Sequence, residues 1–160
     1  MPPLHRYSAP DQGLKGKPLL IDLHTHTTAS DGSYSPRSLV QLARQKGLAA
    51  ISVTDHDTTD GLDEAISAGR DLGIEVVPGL EMSTDVDEGE VHVLGYFIAY
   101  HEQSLQTLLQ TLRDARLGRA RRMVERLAAL GMPLEWERVR SFAGDGAVGR
   151  PHVARAMVEH

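Results

Sequence analysis

The sequence predicts an α/β fold with a largely parallel sheet. Two observations carry that expectation: from Leu19 onward short apolar runs alternate with segments of helical period, and each helical segment begins or ends on capping residues. At 160 residues and 41% hydrophobic content, the chain is long enough for one ordinary domain with a real core.

LLIDL (19–23) is the first expected strand. Ser35 and Pro36 then supply an N-cap and an N1 proline, Leu39, Leu42 and Ala43 form a buried stripe, and Gly47 ends the helix. LAAISVT (48–54) is a second strand. Asp60 is expected to cap a helix carrying Leu62, Ala65, Ile66 and Leu72 and closed by Gly73, after which IEVVPGLE (74–81) forms the third strand. VHVLGYFI (91–98) is the fourth. From about Glu102 to Leu130 the apolar spacing predicts one long helix or two, stopped by Gly131 and Pro133. Its arginines, Arg113, Arg116, Arg119, Arg121, Arg122 and Arg126, read as a solvated face balanced by Asp114 and Glu125. A short helix around 134–142, a GDGAVG turn and a last helix opened by Pro151 complete the pattern.

Residues 1–18, rich in Pro, Gly and Lys, read as a flexible leader, with one domain over 19–160. The leader lacks the apolar core of a signal peptide and no later run is long enough to span a bilayer, so the expectation is a cytoplasmic protein with no membrane partner. A net charge of −5 and a pI near 5.9 argue against a broad nucleic-acid surface, although a locally positive pocket can still hold a phosphate. Cysteine is absent, which removes disulfides and thiolate metal sites and leaves His, Asp and Glu as candidate ligands.

In IDLHTHTTASDGSYSP (21–36), His24 and His26 lie two residues apart at the end of an apolar run, so an extended strand projects both to one side. Either alone reads equally as a core histidine satisfied by backbone groups. Burying both beside Asp22 and Asp31 without a cation is costly, which favours a metal. The second strand ends in TDHD, placing His56 on the same rim, since active sites of β/α folds assemble beyond the C-terminal ends of the strands. Asp57 and Asp60 read as turn or cap formers, and Asp55 is placed to orient a ligand from behind. PGLEMS puts Glu81 at the third exit, and EVHV sets His92 among apolar neighbours; a surface glutamate and a core histidine are the plain alternatives. Recurrence of such donors from strand to strand points to Zn, Mn or Fe. No P-loop, dinucleotide glycine fingerprint or Ser-His-Asp order competes with that pattern.

DLHTHTTASDG, TDHD, PGLE and VHVLGY resemble the first motifs of the PHP family, the polymerase and histidinol phosphatase superfamily of metal-dependent phosphoesterases. TASDGSYSP followed by a long helical segment and GRPHVARAM is most similar to the branch that removes the 3′-phosphate of 3′,5′-bisphosphonucleotides and trims short RNA from the 5′ end. The resemblance implies a distorted (β/α)7 barrel holding up to three divalent metals. His24, His26 and Glu81 would hold the first, Glu81 would bridge to a second bound by His92, and Asp31 with His56 would hold the third. A metal-activated hydroxide would attack the phosphoryl group, with no protein nucleophile. Arg150 and His152 in GRPH would grip a substrate phosphate, a small nucleotide or a short RNA end, at the mouth of the last helix; an arginine in a structural ion pair and a histidine near a helix start are the plain alternatives.

Four strands are legible where the family builds seven, and the resemblance implies further ligands beyond GRPH. The chain therefore reads as a truncated, N-terminal portion of a PHP domain with a helical insertion over about 102–160, inactive alone unless a partner chain or missing segment completes the barrel. Two alternatives stand beside the nucleotide phosphoesterase: a non-catalytic metal-binding or interaction domain of PHP type, and a histidinol-phosphate phosphatase.

Overall fold

A computed structural model describes residues 20–86, 89–144 and 146–159; the expected leader, 1–18, lies outside the described residues. The chain order is β1 (Leu20–Thr25), α1 (Pro36–Gln45), β2 (Leu48–Val53), α2 (Leu62–Leu72), β3 (Glu75–Val86), β4 (Gly89–Tyr96), α3 (Gln103–Ala129), α4 (Trp136–Ala143) and α5 (Arg150–Val158). The strands form one sheet in the order β1-β2-β3-β4. β1 with β2 and β2 with β3 are parallel pairs, as βαβ units require.

β4 departs from the expected parallel pattern and runs antiparallel to β3, from Val86 opposite Gly89 to Gly79 opposite Tyr96. The reason is connection length. Only two residues separate β3 from β4, enough for a hairpin, whereas a parallel neighbour needs a crossover of roughly a dozen or more residues. The hairpin also lengthens β3 past the expected end at Glu81, which places Glu81 within a strand and directly opposite Leu94.

Local signals set the helices. Ser35 caps α1, its hydroxyl accepting the Ser38 N–H at 3.3 Å, and Pro36 follows at N1. α2 ends on Gly73 in the left-handed conformation at φ 66°. Its start differs from expectation: Gly61, not Asp60, occupies the N-cap, and no side chain caps it. The segment from residue 103 to 129 is a single continuous helix.

Among the described residues, two apolar clusters hold the fold. Val40, Ala43, Ile51, Val53, Leu62, Ala65 and Ala68 pack α1 and α2 against the sheet. Ala120, Val139, Val148, Val153 and Ala156 join α3, α4 and α5. Burying such side chains is worth roughly 1.5–3 kcal/mol each for the larger ones, against the entropy of ordering the chain. Leu20, Ile21 and Leu23 of β1 and Val91 and Val93 of β4 are exposed. No helix among the described residues is long and apolar enough to cross a membrane.

Candidate metal centre

The parallel strands deliver their exits to one rim, and the sequence-predicted donors meet there. β1 carries His24 through a register irregularity between Asp22 and Thr25, the kind of local bulge that re-aims side chains beside a site, and His26 follows its last residue. The turn that follows folds back tightly: a Cβ on Gly32 would lie 2.2 Å from the carbonyl oxygen of His26, so only glycine lets Asp31 return beside His26. β2 continues past Val53 to His56, whose backbone bridges to Glu81 of β3 through Asp57 N–H to Glu81 O at 3.0 Å and Glu81 N–H to Asp55 O at 3.2 Å.

Glu81 is the hub. Its Oε2 lies 2.9 Å from His24 Nε2, 3.1 Å from His26 Nε2 and 3.5 Å from His56 Nδ1, and its Oε1 lies 2.8 Å from His92 Nδ1. Asp31 closes the other side, 3.3 Å from His26 Nδ1 and 3.6 Å from His56 Nε2. Three overlapping groups result, His24 with His26 and Glu81, His26 with Asp31 and His56, and His56 with Glu81 and His92, each with donor atoms within 4.8 Å of one another. The rings step along the rim at centroid separations of 5.1, 4.7 and 4.9 Å.

The protonation states suit cation binding. Burial pushes the Glu81 carboxyl up, but the hydrogen bonds from His24 and His92 and the charge of His56 outweigh it, leaving Glu81 below its ordinary range. Burial, reinforced by the Arg116 guanidinium, holds His56 down at about 4 against the pull of Asp31 and Glu81. Near neutrality the rim thus offers an ionised carboxylate and a neutral imidazole, the forms in which these groups ligate metals. The set contains only imidazole and carboxylate donors, and a buried carboxylate serving several imidazoles is the composition a borderline divalent cation takes.

Asp55 supports the rim from behind. Buried, it accepts the Thr27 N–H and hydroxyl, each at 2.7 Å, and the Ser30 hydroxyl at 2.6 Å, fixing the turn between His26 and Asp31.

A cavity of about 240 Å³ opens beside the cluster. Asp31, His56 and His92 line it together with Arg116, Arg119, Gly149 and Arg150. Arg150 therefore faces the same space as the candidate ligands. His152 is buried, with Nδ1 accepting the Gly149 N–H at 3.0 Å to close the start of α5. That bond puts the imidazole proton on Nε2. Burial lowers its pKa, with Arg116 and Arg155 adding to the effect against the pull of Asp31.

One expectation is corrected here and another extended. Arg116 is not part of a solvated face: it is 7% exposed, and its Nε donates to Asp57 Oδ2 at 2.9 Å. Asp57 does form a turn, at φ 55°, but its fully buried carboxylate also accepts the Ser83 N–H at 2.9 Å. Sequence reading missed Arg116, Asp57 and Ser83 as members of the site. One signal was present: Leu109, Arg116 and Ala120 share the buried stripe of α3, so Arg116 is a charge at a core position.

Residues 22–117 match the PHP domain family. A 5′-3′ exoribonuclease of Haemophilus influenzae is 37% identical over 138 residues, which is 86% of this chain and 50% of that protein. A 3′,5′-nucleoside bisphosphate phosphatase of Chromobacterium violaceum is 34% identical over 140 residues, 87% of this chain and 49% of that protein. Among solved structures, a protein of Bifidobacterium adolescentis described as a metal-dependent phosphoesterase matches with a TM-score of 0.79 and 37% identity, over 87% of this chain and 49% of that one. The chain spans about half the length of the curated relatives it matches. With its four histidines and two acids gathered on one sheet rim, this chain belongs to the PHP domain family.

Proposed function

We propose that this chain carries the metal-binding rim of a metal-dependent phosphoesterase whose substrate is the terminal phosphate of a small nucleotide, a 3′,5′-bisphosphonucleotide, or the 5′ end of a short RNA. One observation carries the reading: a single cavity is lined both by Asp31, His56 and His92 of the candidate metal cluster and by three arginines, Arg116, Arg119 and Arg150. The relatives named for phosphatase and exoribonuclease activities support it.

His24, His26, Asp31, His56, Glu81 and His92 would hold up to three cations, Mn, Zn or Fe. Divalent cations supply Lewis-acid charge for a phosphoryl group and acidify coordinated water. The chain's own residues do the rest. Glu81, ionised and shared among imidazoles, fixes the spacing of the donor groups. Arg150 and Arg119 present planar guanidinium forks to phosphate oxygens, and the backbone N–H groups at the start of α5 add their dipoles. His152, neutral with its proton on Nε2, donates a hydrogen bond without adding charge.

Full-length protein purified without chelators tests the reading by elemental analysis joined to turnover of a 3′,5′-bisphosphonucleotide, a 5′-phosphorylated short RNA and histidinol phosphate. Bound transition metal with preference for the nucleotide substrates is expected. Preference for histidinol phosphate, or metal binding without any phosphatase turnover, removes it.

A further inference from the structure

Asp57 and Ser83 are separated by α2 and most of β3, yet one buried guanidinium holds both. Arg116 Nε donates to Asp57 Oδ2 at 2.9 Å, and its second nitrogen donates to the Ser83 hydroxyl. Both partners sit beside candidate ligands. Asp57 follows His56 directly, and Ser83 lies two residues beyond Glu81 on β3, its hydroxyl 3.5 Å from His56 Nδ1. The remaining nitrogen of the fork faces the start of α5: a Cβ on Gly149 would lie 3.1 Å from it, tighter than side chains normally pack. Gly149 opens the segment that carries Arg150 and His152. Arg113 adds a second tie from α3, donating to the Asp57 carbonyl at 3.2 Å.

We propose that Arg116 is a positioning residue that sets the spacing between the His and carboxylate rim and the phosphate-facing start of α5. The proposal rests on the phosphoesterase reading and adds to it what ties the candidate ligands of the cavity to the start of α5. Two hydrogen bonds are made at once, to Asp57 and Ser83, while the third nitrogen lies against Gly149, and a planar guanidinium supplies that geometry where a lysine ammonium, a single point on a flexible stem, does not. The glycine of GRPH follows from the same geometry. It lets the helix start sit against the guanidinium rather than a methyl group away.

The test uses the full-length protein loaded with manganese, inorganic phosphate as the calorimetric probe, and two variants, Arg116→Lys and Gly149→Ala. In both, phosphate affinity is expected to fall by at least about tenfold, the scale of one charge-assisted hydrogen bond, with manganese stoichiometry unchanged. Nucleotide hydrolysis should show the change mainly in KM. Gly149→Ala leaves the guanidinium intact, so it isolates the spacing and decides alone should Arg116→Lys fail to fold. Unchanged phosphate affinity in Gly149→Ala, or manganese lost together with phosphate, overturns the proposal. Wild-type protein that binds neither manganese nor phosphate overturns the phosphoesterase reading itself, and the proposal with it.

Discussion

His24 Nε2 lies 2.9 Å from Glu81 Oε2, across 57 residues of chain. His24 is about half exposed and Glu81 almost wholly buried, so the carboxylate is the fixed point and the imidazole the adjustable one. Glu81→Gln keeps the shape but removes the charge shared by four imidazoles. Its expected consequence is a fall in metal affinity of at least about tenfold, the lower end of what losing even an outer partner costs. Metal titration of the purified variant measures it, and wild-type affinity would remove Glu81 from the ligand set.

Asp55→Asn probes the support behind the rim. Asp55 accepts three short hydrogen bonds from Thr27 and Ser30, and an amide there would turn donors toward donors. Charge-assisted bonds of this kind contribute about 1.5–3 kcal/mol each, so urea unfolding of the metal-free protein should show a loss of at least about 1.5 kcal/mol. An unaltered unfolding midpoint would mean that the turn holds itself.

His56 gives the protein a stability slope in acid. Its pKa falls from 6.5 in the unfolded chain to about 4 in the folded one, so between those values the unfolded state binds the proton and the folded state does not. Stability is therefore full above pH 6.5, declines as pH drops toward 4, and gains no further penalty from this group below that. The slope is at most about 1.4 kcal/mol per pH unit. His56→Asn should flatten the metal-free unfolding profile within that window, and an NMR titration of the His56 ring near 6.5 would contradict the expectation.

On the proposed reading, Arg150→Lys would replace a two-point phosphate grip by one charge. Weaker binding of every phosphorylated substrate, with metal content unchanged, is expected from steady-state kinetics and elemental analysis. KM values matching the parent protein's for all substrates would place Arg150 outside the binding site.

His24, His26 and His56 stood out because each breaks an apolar strand pattern at its C-terminal end, where a polar residue has no packing reason to stand: His24 and His26 after LLIDL, His56 after LAAISVT. The direction of β4 was misread because alternating β-α units suggested a parallel neighbour, although the two residues between β3 and β4 allow only a hairpin. Asp57 and Arg116 were hidden by distance. Their pairing spans 59 residues, and nothing local distinguishes one arginine among six on α3 except its place in line with Leu109 and Ala120. Asp60 was a plausible cap by type, but the helix begins after Gly61 and leaves its side chain exposed.

Gly32→Ala tests whether the turn after β1 brings Asp31 to its neighbours. An added methyl would stand 2.2 Å from the His26 carbonyl oxygen and 2.7 Å from the Thr27 backbone nitrogen, contacts that no side-chain rotation relieves because both atoms are backbone. The Gly32 N–H also bonds to Thr27 O at 2.9 Å, so the turn has to open for the methyl to fit. Opening it moves Asp31 away from His26 and His56, while Glu81 keeps its bonds to His24 and His92 on β1 and β4. The expected result is selective: metal stoichiometry falls by the share that depends on Asp31, and the part held by His24, His26 and Glu81 persists. Stability should fall by roughly 1–3 kcal/mol from backbone strain. Elemental analysis beside a urea titration reads both effects, and full metal stoichiometry in a folded Gly32→Ala protein would show that Asp31 holds no cation.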